Sequence, residues 1–136
     1  MRNIEFILRW GDYNMNVEEC ALQFIEEFPE YNKAYHEHMN DYGKVLGHVF
    51  FGDAINETLT VLLKKNEDIN AIQRYINFIN YMYKIGDDAV KNIVIVTILE
   101  YLGDDKQVLS NAYNLLNDDI IKESIENEKS LERYKL

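Results

Sequence analysis

The chain has 136 residues, 47% of them apolar, with six glycines and one proline. That length fits one domain over residues 1–136 around one core, and so few turn residues argue against a fold of many short strands. A formal charge of −10 disfavours contact with nucleic acid or anionic lipid and favours a basic protein partner.

Ile4 to Trp10 is short and reads as a strand or a helical turn. The stretch carries Glu5 and Arg9 and no cleavage site follows, so it does not read as a signal peptide. No apolar run approaches the roughly 20 residues of a membrane-spanning helix, and a cytoplasmic location is expected. Asn14 or Asn16 is placed to cap a helix from Val17 to Phe28. Val17, Cys20, Ala21, Phe24, Ile25 and Phe28 fall on one face of it, while Glu18, Glu19, Glu26 and Glu27 fall away. Pro29 ends the helix by forcing Phe28 out of helical geometry. A second helix is expected over Glu30 to Asp41, with Tyr31, Tyr35 and His38 aligned. Val45 to Phe51 reads as a buried short helix or tight extended turn, closed by Gly52.

Asp53 to Lys65 reads as a helix with Ile55, Leu59, Leu62 and Leu63 inward. In the next, Ile69, Ile72, Ile76, Ile79 and Tyr83 form a packing seam. Ala89 to Leu102 is ambiguous. Its β-branched residues suit a central strand, but its length and its rows at helical spacing favour a buried helix. Asp104 to Leu116 repeats an amphipathic pattern, and Asp118 to Leu136 reads as a peripheral helix with Ile120, Ile121, Ile125 and Leu131 on one side, frayed near its end. Gly52-Asp53, Glu67-Asp68, Gly86-Asp87, Gly103-Asp104 and Asn117-Asp118 mark the boundaries. The expected fold is all-α, an antiparallel helical bundle or a short superhelix of stacked helix pairs, with about six or seven helices.

Gly-Asp-Asp occurs twice, at 86–88 and 103–105. Two adjacent aspartates can hold a catalytic metal, but neither site brings a third carboxylate with a basic group. Helix punctuation explains every position: a left-handed glycine ends one helix and an aspartate caps the next. His36, His38 and His48 invite a zinc reading. A step of two, however, sets His36 and His38 on different helix faces, and no other ligand pattern helps. The single cysteine, Cys20, has apolar neighbours and two adjacent glutamates that would raise its pKa, so it reads as a buried hydrophobe. No cofactor motif is present.

Charge is uneven along the chain. Residues 1–60 hold 11 acids against four bases, and residues 61–136 hold 13 against 10. Ten tyrosines serve mostly packing, with some available as interface anchors.

The stretch "YNKAYHEHMNDYGKVLGHVFFGDAINETLTVLL" (31–63), followed by "GDDAVKNIVIVTILEYLGDD" (86–105), resembles a family of small acidic bacterial proteins catalogued as a domain of unknown function. The likeness runs from Val17 to Leu116. It implies an all-helical domain without an established activity, and it carries over no catalytic residues. In size and charge such proteins are similar to the immunity proteins of bacterial toxin systems, which bind and block a cognate toxin.

The expectation is therefore a non-enzymatic immunity protein that occludes a basic toxin domain such as a nuclease. Glu18, Glu19, Glu26, Glu27, Glu30, Glu37 and Asp41 would face the toxin's lysines and arginines, and Tyr31 and Tyr35 would anchor the contact. The alternatives are an acidic nucleic-acid mimic that regulates a DNA-handling protein, and a small metal-dependent hydrolase using the histidines with aspartates.

Overall fold

The computed structural model describes residues 14–133; the expected element at Ile4 to Trp10 lies outside them. Over this range the chain is all-α, with seven helices and no strand among the described residues. Helix α1 is Val17–Glu27. Of the two candidate caps, Asn16 is the one used: its side chain accepts the Glu19 N–H at 2.9 Å, and Glu19 Oε1 accepts the Asn16 N–H at 3.0 Å. Losing such a reciprocal cap costs about 1 kcal/mol. Phe28 leaves helical geometry, as the following proline requires, and a single 3-10 turn, Pro29–Tyr31, leads into α2, Asn32–Tyr42. Gly43, at φ 73°, ends α2 in the left-handed conformation that glycine reaches without a Cβ penalty.

Gly52 does not close the next helix, contrary to the sequence reading. It sits at φ −60°, ψ −48°, and the helix runs through it. Helix α3 spans 47–65, made of an α-turn segment Gly47–Phe51, a wider π segment Gly52–Asn56 and a second α segment Glu57–Lys65. Helix α4 is Ile69–Ile85, capped by Asp68. The ambiguous stretch is a helix, α5, spanning 88–102, and it too has a π-wound middle, Ile93–Leu99. Helices α6, Lys106–Tyr113, and α7, Asp118–Ser130, complete the fold.

The π segment of α5 packs against the first two segments of α3 and against α4 and α7. That central position explains an almost wholly apolar sequence: Ile93, Val94, Ile95, Ile98 and Leu99 are all buried. The core around α1 is aromatic. Phe24, fully buried, stacks on Phe28 at 4.6 Å between centroids and meets Phe51 and Phe78 edge-on at 5.6 and 5.2 Å. Truncating such a side chain costs about 3–5 kcal/mol. The expected α4 seam is too narrow. Ile72, Ile76 and Ile79 are buried, but so are Tyr75, Phe78, Tyr81, Met82 and Ile85, while Ile69 is exposed. No helix among the described residues is long and apolar enough to cross a membrane.

Both Gly-Asp-Asp sites cap helices, with two differences from expectation. Asp87, the first aspartate of its site, accepts the Val90 N–H and caps α5. In the second copy it is the last aspartate, Asp105, that accepts the Gln107 and Val108 N–H groups and caps α6. Neither glycine is left-handed: Gly86 has φ −70°, ψ 155° and Gly103 has φ −70°, ψ −8°. Close approach is what requires them. A Cβ on Gly86 would lie 2.4 Å from Val90 Cγ1 and 2.5 Å from the Met82 carbonyl oxygen, and one on Gly103 would lie 2.5 Å from Glu128 Oε2.

Candidate protein-binding face

The turn after α2 sets up the surface. Gly43 reverses the chain, and two side chains then catch the N–H groups of the linker. Glu18 Oε2 accepts from Val45 at 3.1 Å, and His38 Nε2 accepts from Leu46 at 2.9 Å. His38 is buried, with Tyr42 tilted over its ring and Phe50 edge-on to it. This fixes the start of α3 beside α2 and leaves a cleft of about 250 Å³ between them. Tyr31, His38, Tyr42 and Phe50 give it aromatic walls, and Glu37, Asp41 and Asp53 give it carboxylates.

A second cleft, of about 520 Å³, lies over the π segments of α3 and α5. It shares Asp53 with the first and adds His48, Asn56, Glu57, Thr97 and Tyr101. His48 Nδ1 lies 2.5 Å from Thr97 Oγ1, and Asn56 Nδ2 donates to the Thr97 carbonyl at 3.1 Å. A third, of about 330 Å³, continues from Thr97 and Tyr101 to Glu100, Asp104 and Arg133.

The three clefts thus form one band across α2, α3 and the end of α5, with six carboxylates: Glu37, Asp41, Asp53, Glu57, Glu100 and Asp104. Arg133 is the one lysine or arginine that lines the band among the described residues, and it is already engaged. It donates to Glu128 Oε2 at 2.7 Å, Asp104 Oδ1 at 2.8 Å and the Glu100 carbonyl at 2.8 Å. Hydrogen bonding to Glu128 raises its pKa further. Tyr42 and Tyr101, 50% and 43% exposed, line the same band, with Val96 in the third cleft. Exposed aromatic rings among carboxylates that outnumber the lining cation supply contact area and attraction for cations together.

The residues expected from sequence divide between this band and the fold. Glu37, Asp41 and Tyr31 line the first cleft, although Glu37 also lies 4.0 Å from Lys33. Glu18 and Glu19 hold the α2–α3 linker and the α1 cap. Gln23 donates to Glu27 at 3.3 Å, and Glu26 is exposed on the same helix. Glu30 makes a bidentate pair with Arg74 at 2.5 and 3.1 Å, which holds its carboxyl below the ordinary range. Arg74 also donates to the Glu27 carbonyl and lies 4.1 Å over the Phe28 ring. The Tyr31 hydroxyl meets that of Tyr75 at 2.7 Å, and Tyr35 is buried against Phe50. The sequence reading passes over Asp53, Glu57 and Tyr101, because Asp53 reads as a helix boundary and the other two lie inside segments read only as helices. The signal available was the acidic i, i+4 pair on one face of α3.

The histidines occupy three separate settings: His36 exposed beside Tyr35, His38 packed, and His48 on Thr97. No three His, Cys, Asp or Glu side chains among the described residues are grouped to hold a metal ion. Cys20 is fully buried, and burial, followed by the charge of Asp87, pushes its thiol pKa far up. The cause is therefore mainly desolvation and not the neighbouring glutamates.

A family model described as a domain of unknown function, DUF7674, covers residues 21–132. No curated protein and no solved structure matches the chain.

Proposed function

The chain belongs to the DUF7674 family, and from that footing we propose that it is a non-enzymatic protein-binding module, an immunity protein that blocks a basic bacterial toxin domain. What supports this is the band of six carboxylates and exposed tyrosines whose one lining arginine is already paired. Occlusion is the mechanism. The carboxylates steer a cationic substrate cleft toward the band and replace its anionic substrate, and the rings of Tyr42 and Tyr101 exclude water around the ion pairs. Affinity of this kind weakens with salt, because the long-range part is screened over about 8–10 Å.

The test is co-expression with the product of the adjacent gene. A complex should form at low ionic strength, weaken as salt rises, and relieve growth arrest caused by that product. Absence of both the complex and the rescue refutes the proposal.

A further inference from the structure

His38 brings to the first cleft a donor that the fold does not use. The residue is 7% exposed and lines the cleft between α2 and α3. Its Nε2 accepts the Leu46 N–H at 2.9 Å. An imidazole nitrogen that accepts a hydrogen bond carries no hydrogen, so the ring proton sits on Nδ1. Nδ1 has no partner among the described residues. Nor is it enclosed: the side-chain atoms sealed from solvent without a partner are Asn56 Oδ1 and Thr60 Oγ1. Tyr42 and Phe50 pack on the ring, at 4.7 and 5.5 Å between centroids, and line the same cleft. The little surface that His38 keeps is therefore presented there. The ring cannot turn to use Nδ1 elsewhere without giving up Leu46 and the linker it holds.

The rest of the cleft specifies what meets this N–H. Glu37, Asp41 and Asp53 line it, and no lysine or arginine among the described residues does. An anion would satisfy Nδ1–H and be repelled by the carboxylates. A lysine or arginine side chain would satisfy the carboxylates but has donors only, so it cannot accept from Nδ1–H. The ligand that answers both carries an ammonium group with a neutral acceptor close by. The Tyr42 ring, 50% exposed, adds an apolar wall that also favours a cation. A peptide's amino terminus has all three parts, and terminal amines are captured in this way by other binding domains. We propose that the first cleft takes the amino terminus of a peptide: the α-ammonium lies among Glu37, Asp41 and Asp53, the first carbonyl accepts from His38 Nδ1–H, and the first side chain packs on Tyr42. A cleft of about 250 Å³ suits one residue rather than a long segment. This site needs no toxin and stands whether or not the immunity reading does.

The experiment uses the full 15N-labelled chain at pH 7, where a terminal amine is mostly protonated. It is titrated with phenylalaninamide, N-acetyl-phenylalaninamide, phenethylamine and free phenylalanine. Phenylalaninamide should give saturable shifts at His38 Nδ1, read in long-range imidazole spectra, and at the Ala34, Asp41 and Ala54 amides. It should bind about tenfold tighter than the acetylated amide, which lacks the cation, and than phenethylamine, which lacks the carbonyl. Free phenylalanine should bind more weakly, because its carboxylate enters an acidic cleft. The Asp41→Asn/Asp53→Asn variant, checked to keep the Leu46 amide signal, should lose about tenfold in affinity for phenylalaninamide. Unsaturable shifts, binding that leaves His38 Nδ1 unmoved, or equal binding of phenethylamine or the acetylated amide would each overturn the proposal. Tighter binding of free phenylalanine would overturn it in favour of a free amino acid.

Discussion

At the residue scale, the most consequential side chain outside the aromatic core is Arg133. It neutralises Glu128, which is 3% exposed, and reaches across to Asp104 and the Glu100 carbonyl. Removing one partner of a buried pair strands the other charge, which costs about 3–5 kcal/mol. Arg133→Ala should therefore lower unfolding stability in urea by about 3 kcal/mol, and Glu128→Gln by less, because the amide still accepts from the guanidinium. A loss below about 0.5 kcal/mol for Arg133→Ala would show the network to be decorative. Tyr83 gives a test of sign. Burial, then its hydrogen bond to Glu123, raises its pKa from 10 to about 12. The stabilisation is complete below pH 10 and is lost as pH rises through about 12, since the folded state holds the proton more tightly. Subtracting the phenolate absorbance titration of Tyr83→Phe from that of the parent should leave a step centred near 12; a step near 10 contradicts the geometry.

Helix ends are the element-scale question, and the two Gly-Asp-Asp copies answer it differently. Asp87→Ala and Asp105→Ala should each cost about 1 kcal/mol, because each deletes the side chain that accepts the orphan amides of a helix start. Asp88→Ala should cost a few tenths through the helix dipole alone. Thermal or urea unfolding of the three variants separates these. Equal losses at Asp87 and Asp88 would mean that charge rather than the cap matters. Much of this was legible in sequence. The order of the helices and the stop at Pro29 follow from periodicity and backbone chemistry, whereas the sequence leaves the α1 cap open between Asn14 and Asn16 and only favours helix over strand for 89–102. What was not legible depends on tertiary contact. Gly52 looked like a terminator, yet a helix accommodates a glycine where it packs against Thr97; Gly86 and Gly103 looked like left-handed caps, yet they answer to Val90 and Glu128. The π windings of α3 and α5 have no local sequence signature at all. They place Asn56 against Thr97 and open the second cleft, so that part of the candidate site was invisible to periodicity.

On the scale of the whole molecule, charge is sorted by use. Several carboxylates of the acidic first half serve the fold: Glu18 and Glu19 tie down backbone amides and Glu30 is paired with Arg74. Those along the band from Glu37 to Asp104 share a face whose one lining arginine or lysine among the described residues, Arg133, is spent on the core carboxylate Glu128. Net charge alone would predict attraction of a basic partner to any part of the surface, whereas this division predicts attraction to one face. The decisive measurement is association with the co-expressed adjacent gene product for two charge-matched variants. One carries Glu37→Gln, Asp41→Asn, Asp53→Asn and Glu57→Gln. The other neutralises Glu67, Asp88, Asp118 and Glu126, none of which lines the three clefts. The band variant should slow association at least tenfold and flatten its salt dependence, with the control unchanged. Equal effects from both variants, or a larger effect from the control, would contradict binding through the band.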